Sequence, residues 1–315
     1  MKISAFSFLR NGSKLHYPIV ESVQSALPLV DEFVIALGNS DPDDTTREQF
    51  EALKEPKLVL FDTVWDLEKY PQGTEHAHQT DLAKARCSGD WLLYLQGDEV
   101  LHEEDLDTLY HNCERYLNDE RVEGMLFDYL HFWGDYAHAH NSHAWYKQEI
   151  RLIRNRPDIH SFRSAQSFRR IPNFDGVSYR KKEGAYKLNC VHSGARIFHY
   201  GWVRPPQAMQ KKRIYFSTNH RGADAAKAQQ AKESNQFDYG PLENIPRFNQ
   251  THPAVMQKAI ANMDWQDHLY EKRPDGHPPV KHKHDKFKYR LLTWIENTLF
   301  GGRHLFASKN FNRLK

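Results

Sequence analysis

The sequence has only three cysteines in 315 residues. Cys87, Cys113 and Cys190 are too few, too scattered and odd in number for a disulfide framework or a thiolate zinc site, so we expect packed thiols. No stretch approaches the roughly 20 consecutive apolar residues that a membrane span needs, and the first residues carry no secretory signal pattern. We therefore expect a cytoplasmic protein.

The chain also lacks a strong net charge. Its formal charge of +2 does not favour nucleic acid as a partner, because nucleic-acid binding usually requires a strongly basic face. Apolar residues make up 39% and charged residues 27%, as in globular proteins. The charge is uneven, since residues 281–315 carry many Lys and Arg against only Asp285 and Glu296.

Short apolar runs alternate with helical patterns along the first third of the chain. The runs predict buried strands at residues 3–8, 33–37, 57–61 and 91–95, and the periodicity predicts helices at 15–27, 46–53, 75–86 and 106–117. This alternation predicts an α/β fold with a mainly parallel central sheet and helices on both faces. Ligands bind such sheets beyond the carboxyl ends of the strands, so the loops after Phe8, Leu37 and Leu95 are expected to share one edge.

The remainder of the chain divides into two segments that differ in sequence pattern and composition. Residues 125–133 and 149–154 predict further strands, and the pattern stays strand-like to Tyr200, as expected for the mixed-sheet half of the same domain. Beyond about Pro205 the sequence becomes polar and rich in Gln and Ala, with a Pro-rich linker or turn at 273–279. We predict one domain over 1–212 and a helical C-terminal extension with a basic tail over 213–315.

The most informative segment is 89–99, where a hydrophobic strand runs directly into the paired carboxylates Asp98 and Glu99. Bare carboxylates at a strand end are costly unless they meet solvent or a cation. Their hard oxygen atoms favour Mg²⁺ or Mn²⁺, so the segment predicts a divalent metal site. The alternative is an ordinary strand followed by an acidic helix start, since the next acids, at 103–105, would suit the positive end of a helix.

Residues 90–99 read DWLLYLQGDE and resemble the "DWxLxLDADE" signature of family-2 glycosyltransferases of the GT-A fold. In that family the strand ends in a metal-binding D-x-D motif. Gln96 stands where the first Asp would be, which leaves Asp98 as the direct ligand and Glu99 as a catalytic neighbour. Residues 195–206 resemble the "IxHYG" segment of bacterial members, and this makes His199 a second candidate metal ligand.

The resemblance covers residues 3 to about 212 and implies a GT-A (Rossmann-like) fold. Residues 1–124 would form the nucleotide-binding half and 125–212 the acceptor-binding half. Ser40, Asp44 and Thr45 match the later part of the family's "DxxSxDGT" pattern, while Leu37 or Gly38 replaces its early Asp. The candidate nucleotide-sugar-binding residues are Phe8, Arg10, Asn39, Ser40, Asp44, Gln79, Gln96, Arg204, Lys211 and Lys212.

The same resemblance implies that the protein would move a sugar from a nucleotide-sugar donor to a glycan or lipid-linked acceptor, in surface polysaccharide or lipopolysaccharide synthesis. A divalent metal, Mn or Mg, would bind the diphosphate, and an inverting mechanism would need a carboxylate base. Asp175 and Glu183 are the candidate bases, with Asp128 and Asp135 less favoured. A metal-dependent nucleotidyl or phosphoryl transferase and a non-catalytic nucleotide- or glycan-binding relative remain alternatives.

Four further features allow two interpretations each. The aromatic residues stack on sugar rings or belong to the core; they are Phe132, Trp133, Tyr136, Trp145 and Tyr146. His138, His140 and His143 bind zinc or iron, or they lie in an ordinary loop. Arg151 forms a salt bridge or belongs to the site. The basic tail, with Phe287 and Trp294, contacts the inner face of the cell membrane, or it docks as a helix with Trp and Phe packed inwards.

Overall fold

The computed structural model describes residues 1–222, 224, 228, 234–305 and 309–314. Its strands are β1 (Ile3–Leu9), β2 (Glu32–Leu37), β3 (Leu58–Asp62), β4 (Trp91–Tyr94), β5 (Glu99–Leu101), β6 (Gly124–Trp133), β7 (Ala139–His140), β8 (Gln148–Arg154), β9 (Ile159–Phe162), β10 (Ser167–Arg170), β11 (Tyr186–Trp202) and β12 (Phe311–Arg313). Its α-helices are α1 (Ile19–Ala26), α2 (Thr46–Glu51), α3 (Thr74–Lys84), α4 (Leu106–Tyr116), α5 (Pro206–Arg221), α6 (Gln257–Ala261) and α7 (Phe287–Leu299).

The main sheet has the strand order β3-β2-β1-β4-β8-β6-β11-β10-β9. Strands β3, β2, β1 and β4 are parallel, and β8 then lies antiparallel between β4 and β6. Strand β11 runs parallel to β6 and also pairs with β5 and β12. The prediction of an α/β fold with a parallel first half and a mixed second half is confirmed.

The alternation of side chains along each parallel strand builds two separate core layers. In β2, Phe33 and Ile35 belong to the layer that contains α1 and α4, whereas Val34 and Ala36 belong to the layer that contains Ala83 of α3. Successive residues of a strand point to opposite faces, so a strand that is apolar throughout must be covered on both sides. Helices therefore cover both faces of the sheet, as predicted.

Helix α1 differs from its predicted extent because it begins at Ile19 rather than near Leu15. Residues 11–16 form turns in which Asn11 and His16 adopt left-handed backbone angles, with φ of 57° and 55°. Pro18 then precedes the helix, and a proline disfavours helical geometry in the residue before it. The apolar spacing of Leu15 therefore arises from a buried turn and not from an added helical turn.

The domain boundary at residue 212 stays a prediction, and two elements connect the segments on either side of it. Helix α5 runs across that boundary to Arg221, and β12 returns near the end of the chain to pair with β11. Between them, the described residues form short helices and irregular segments, including 3-10 turns at Leu242–Asn244 and Gln266–His268.

Helix α7 corrects the expectation that the tail packs its Trp and Phe inwards. Phe287 is 79% exposed and Trp294 is 59% exposed, whereas the buried residue of this helix is Glu296. The helix docks through polar contacts, because Thr293 and Glu296 hydrogen-bond to His143. Phe287, Leu291, Trp294 and Leu299 are therefore left on the surface, while Leu292 and Ile295 are half-buried. Among the described residues, no helix combines the length and apolar character needed to traverse a bilayer.

Candidate functional site

The loops that follow β1, β2 and β4 meet at one edge of the sheet, as predicted. Arg10 Nε donates to the Asn39 carbonyl at 3.1 Å, and Ser22 Oγ donates to the Gln96 carbonyl at 3.1 Å. Gly97 makes the close approach possible, since a Cβ there would lie 2.6 Å from Leu9 Cδ2. Parallel strands place their carboxyl ends together, and these loops consequently form a common floor.

Asp98 lies at this floor and contacts a cation from another part of the chain. Lys212 of α5 donates to Asp98 Oδ2 at 3.1 Å and to the Gly201 carbonyl at 2.8 Å. Burial alone would raise the pKa of the Asp98 carboxyl, but the adjacent positive charge of Lys212, with His199, holds that pKa well below its usual range. Burial and the neighbouring positive charge of Arg204 together lower the pKa of Lys212 to about 7, although Asp98 opposes the change. Asp98 is therefore an ionised carboxylate at neutral pH.

A small space separates Asp98 from His199, the second predicted ligand. Asp98 Oδ2 lies 3.8 Å from His199 Nε2. Gly201 faces this space, and a Cβ at that position would lie 2.6 Å from both atoms. An ion about 2.1 Å from each atom spans such a gap, and a carboxylate with an imidazole is a suitable donor pair for Mn²⁺. The residues therefore fit one divalent ion, on the condition that Lys212 gives up part of its contact with Asp98.

A chain of hydrogen bonds sets the tautomer of His199. His131 Nε2 lies 2.8 Å from the Tyr146 carbonyl, which only accepts, so this nitrogen carries the proton. Burial keeps His131 neutral by lowering its pKa well below the ordinary value, and its Nδ1 therefore accepts from His199 Nδ1 at 3.0 Å. The pKa of His199 is also lowered by burial. His199 Nε2 then presents a free lone pair towards Asp98.

Glu99 points away from Asp98 and belongs to a buried ion pair. Arg151 donates through Nε and Nη2 to the two carboxylate oxygens of Glu99, at 2.8 Å each. Tyr129 and the Gln96 backbone N–H donate to the same carboxylate at 2.7 and 3.1 Å. Glu99 was predicted as a catalytic neighbour of Asp98, but this geometry gives it a structural role as the partner of Arg151 in a buried ion pair. Arg151 forms this ion pair and also lines a cavity beside Asp98, so neither of its two interpretations is excluded.

Gln96, the residue that departs from the family pattern, donates a hydrogen bond that a carboxylate could not make. Its Nε2 lies 3.2 Å from the Ala165 carbonyl and 3.3 Å from the Tyr94 hydroxyl. The amide therefore ties the end of β4 to the turn between β9 and β10. This anchoring role explains a neutral side chain at a position where the resemblance leads one to expect Asp.

Two cavities open on either side of Asp98. The first has a volume of about 290 Å³ and is bounded by the ends of β1 and β4. The second has a volume of about 880 Å³ and lies along α5, beside Trp145 and Trp202. Both cavities are lined by Gln96, Asp98, Tyr146 and Phe216. The carboxylate of Asp98 consequently lies where two ligands could meet.

The predicted nucleotide-sugar residues divide into those that line the first cavity and those that support its walls. Phe8, Arg10 and Gln96 line the cavity. Ser40 Oγ accepts from the Asn11 backbone N–H at 2.9 Å, and Asp44 accepts from Ser13 Oγ at 2.6 Å. These two side chains shape the loops rather than face the cavity.

The other predicted residues are more dispersed. Asn39 is exposed at the sheet edge, and Gln79 is buried on α3, where its amide donates to Glu75 at 2.7 Å. Arg204 is buried and donates to the Leu15 carbonyl, and its Nε and Nη2 have no hydrogen-bond partner among the described residues. Lys211 is exposed, because its neighbour Lys212 occupies the inward face of α5.

The structure does not bring the predicted bases to the cavities. Asp175 is exposed and caps its own turn by accepting from the Val177 and Ser178 backbone N–H groups, at 2.9 and 2.7 Å. Glu183 is also exposed and lines neither cavity. Asp128 and Asp135 are occupied by histidine contacts, to His192 at 3.1 Å and His138 at 2.9 Å. Among the described residues that line the two cavities, Asp98 is the only acid.

Several residues at the site were not predicted, because no motif or spacing in the sequence marked them. Trp65 and His76 line the first cavity, and Arg10 lies over the Trp65 ring at 5.4 Å. His131 acts only through its strand neighbour His199, which is 68 positions away. Phe216 was detectable in principle, because it lies one helical turn after Lys212 on the same face of α5.

The aromatic residues predicted to stack on sugars or to belong to the core divide between these two places, and the three histidines of residues 138–143 do not form one metal site. Phe132 and Trp133 are buried in the core, whereas Trp145 and Tyr146 line the second cavity. His138, His140 and His143 do not converge, and no group of metal-ligating residues containing two of them was found in the described part of the chain. His143 instead lies beside Glu296 and His304.

Comparison with known proteins gives weak likenesses. No family model and no curated protein matches the chain. Among solved structures, S. aureus TarS in complex with UDP-GlcNAc is similar at 15% identity over 71% of this chain and 69% of its own, with a TM-score of 0.36. The mannosyltransferase PcManGT from Pyrobaculum calidifontis, in complex with GDP-Man and Mn²⁺, is similar at 16% identity over 42% of this chain and 36% of its own, with a TM-score of 0.29.

Glucosyl-3-phosphoglycerate synthase from Mycobacterium tuberculosis, in complex with Mn²⁺ and UDP-glucose, is also similar. The identity is 18% over 42% of this chain and 44% of that one, with a TM-score of 0.28. At TM-scores of 0.28 to 0.36, these likenesses establish neither a family nor an activity for this chain.

Proposed function

We propose that this protein is a glycosyltransferase that moves a sugar from a nucleotide donor to a glycan or lipid-linked acceptor. The observation that carries the proposal is the position of Asp98 and His199, which face one another where two cavities meet. The assignment to the family-2 GT-A enzymes, an inverting reaction and a surface-glycan acceptor rest on the motif resemblance at 90–99 and 195–206.

In this proposal the smaller cavity holds the nucleotide. Phe8, Trp65 and His76 form an aromatic wall for the base, with Phe8 and His76 stacked at 5.5 Å between ring centroids. Arg10 at the same wall supplies a positive charge for the phosphates. Both types of contact are general features of nucleotide sites and do not select one base.

Asp98, His199 and Lys212 would act on the diphosphate. A divalent ion, when bound, supplies Lewis-acid stabilisation of the departing diphosphate. Asp98 and His199 would hold it, and the Lys212 ammonium would offer a hydrogen bond to a phosphate oxygen. We assign Asp98 to the donor rather than to the acceptor hydroxyl, because a carboxyl with a strongly lowered pKa is a poor proton acceptor.

The larger cavity would hold the acceptor. Trp145 and Trp202 line it, and their rings lie 5.6 Å apart between centroids and nearly perpendicular, at 87°. Indole faces stack well on the apolar C–H faces of sugars. The cavity opens directly onto Asp98, so an acceptor hydroxyl could approach the donor sugar there.

The exposed face of α7 would bring the protein to a membrane that carries the acceptor. Phe287, Leu291 and Trp294 are exposed, and Lys288 and Arg290 are exposed on the same helix. Apolar side chains among basic ones suit an anionic lipid surface. Cosedimentation with phosphatidylcholine vesicles that contain phosphatidylserine tests this step. Trp294→Ser should weaken cosedimentation, whereas Val64→Ser, at another exposed apolar residue, should not.

A screen of nucleotide sugars by thermal shift, with and without Mn²⁺, followed by product analysis, tests the activity. We expect one donor to raise the unfolding temperature and to be converted to a nucleoside diphosphate when acceptor glycans are present. Asp98→Asn should lower turnover at least about 100-fold. Asp90→Asn, the same change at the opposite end of β4, is the matched control and should leave turnover unchanged.

Three outcomes would overturn the proposal. Release of pyrophosphate would identify a nucleotidyl transferase. A donor that binds without turnover under every acceptor condition would favour the non-catalytic relative. Full activity in the Asp98→Asn variant would remove the residue on which the assignment depends.

A further inference from the structure

A second group of potential metal ligands lies outside the cavities, where α7 meets the loop between β7 and β8. It consists of His143 in that loop, Glu296 on α7 and His304 just after the helix. One ligand atom from each residue lies within 4.8 Å of the other two. The three residues come from positions up to 161 apart in the sequence, so only the docking of α7 brings them together.

The hydrogen bonds within this group leave two buried atoms unsatisfied. His143 Nδ1 lies 2.6 Å from Glu296 Oε1, which also accepts from the Leu305 backbone N–H at 2.6 Å. Glu296 Oε2 and His304 Nε2 are buried, lie 3.7 Å apart and have no hydrogen-bond partner among the described residues. The Glu296 side chain is 0% exposed. A buried carboxylate oxygen and an imidazole nitrogen that face one another without partners are what a cation would satisfy.

We propose that His143, Glu296 and His304 bind a divalent transition-metal ion, with Zn²⁺ as the best match. Two imidazoles and one carboxylate are established zinc ligands, at about 2.0–2.2 Å from the ion. Tetrahedral coordination at such lengths separates ligand atoms by roughly 3.3 Å, so the observed spacings need only small side-chain shifts. A water molecule would complete the coordination.

The ion would fasten α7 to the body of the protein. Two further contacts already join the same elements: His143 N–H donates to Thr293 Oγ1 at 2.9 Å, and Lys147 donates to the Gly302 carbonyl at 2.6 Å. Phe287, Leu291 and Trp294 of α7 are exposed, and the fully buried residue of the helix is Glu296, so much of its apolar surface makes no contact with the rest of the protein. A metal ion therefore supplies attachment that packing does not.

The test uses the full chain, without a histidine tag, in an Asp98→Asn background that removes the other candidate ion site. Metal-free protein is titrated with Co²⁺, whose visible absorption distinguishes four-coordinate from hydrated ions, and Zn²⁺ is then added. We expect one equivalent of four-coordinate Co²⁺, displacement by Zn²⁺ and a rise in unfolding temperature with Zn²⁺. Adding His304→Gln should weaken Co²⁺ binding at least 10-fold and abolish the Zn²⁺-induced rise.

His111→Gln, an exposed histidine on α4, is the matched control and should retain the spectrum. The unfolding temperature without metal shows whether His304→Gln still folds, and His143→Gln provides an independent variant of the same site. Absence of a four-coordinate spectrum in the Asp98→Asn protein would overturn the proposal. So would a spectrum that is unchanged when His143 and His304 are both replaced.

Discussion

Arg151 and Glu99 form a two-point ion pair with both side chains buried, at 1% and 0% exposure. The pair joins β8 to the start of β5, directly after Gln96 and Asp98 in the chain, and Arg151 also lines the first cavity. Glu99 has four hydrogen-bond donors around it, which offset the cost of burying its charge.

Arg151→Met should destabilise the protein by about 3–5 kcal/mol, because it leaves the Glu99 carboxylate buried without its cation. Urea unfolding measures this loss, and the double variant with Glu99→Gln should lose less than the sum of the single changes. Arg47→Met, which breaks exposed ion pairs, should cost less than about 1 kcal/mol. If the losses of unfolding free energy in Glu99→Gln and Arg151→Met simply added in the double variant, the two residues would not be a coupled pair.

Gly201→Ala should block ion binding at Asp98 while leaving the fold intact. The added methyl group would lie 2.6 Å from both ligand atoms, and Gly201 is not among the glycines with positive φ, so the backbone accepts alanine. Calorimetric titration with Mn²⁺ should show at least a 10-fold loss of affinity, with an unchanged circular dichroism spectrum. Ser40→Ala is the control, because it changes the loop after β2 without filling the gap between Asp98 and His199, and it should retain the Mn²⁺ affinity. Gly176→Ala is unsuitable as a control because the φ of Gly176 is 78°. Wild-type Mn²⁺ affinity in Gly201→Ala would show that the gap is not the ion site.

His131→Phe should weaken Mn²⁺ binding and sugar transfer by about 10- to 100-fold, although His131 lines neither cavity. Without the acceptor nitrogen of His131, nothing holds the His199 proton on Nδ1, and the lone pair on Nε2 is no longer assured. Steady-state kinetics should show a higher metal requirement rather than a higher donor KM. His192→Phe, on strand β11 together with His199 but paired with Asp128, is the comparison and should leave the metal requirement unchanged.

Trp145→Ala should raise the acceptor KM by about 10-fold and leave the donor KM unchanged, since one indole face contributes on the order of 1 kcal/mol to sugar stacking. Initial rates with each substrate varied in turn separate the two constants. Trp294→Ala, at the exposed tryptophan of α7, should change neither KM with a soluble acceptor. An equal rise in both constants would show that the cavity lined by Trp145 is not a separate acceptor site.

The contribution of Glu75 to the stability of the protein should fall as pH rises from about 4.5 to about 7. Burial raises the pKa of this carboxyl from 4.5 to about 7. The folded state therefore binds more protons than the unfolded state between these values, so stability is complete below the lower value and is lost as pH rises through the upper one. Unfolding at about pH 5 and about pH 8 should differ by up to about 3 kcal/mol from this group.

Glu75→Gln should remove that part of the pH dependence and stabilise the protein at the higher pH. Glu48→Gln, at an exposed acid of α2, should leave the pH dependence as it is. Parallel stability curves for wild type and Glu75→Gln would show that Glu75 is not protonated in the folded state.

The local pattern of the sequence was sufficient for the parallel half of the fold and for Asp98. Apolar runs of five to seven residues identify strands β1, β2 and β4, and the residue after such a run lies at the carboxyl edge of the sheet. Gln96, Asp98 and His199 were predicted to share one site from strand ends and a motif resemblance, and all three line the second cavity. The strand predictions depend on interactions between residues that are close in sequence, and these interactions show directly in the spacing of apolar residues.

The partners of those residues were decided by tertiary packing. Lys212 reaches Asp98 across 114 positions, Arg151 reaches Glu99 across 52, and His131 meets His199 across 68. Each contact depends on the order and register in which β8, β6 and β11 pair, and no short-range pattern encodes that register. The sequence of α7 showed a helical spacing, but for the same reason it did not show which face of the helix is buried. Which side of a helix is covered depends on what the rest of the chain places beside it, and here Ser142 and His143 of the loop between β7 and β8 hydrogen-bond to Thr293 and Glu296.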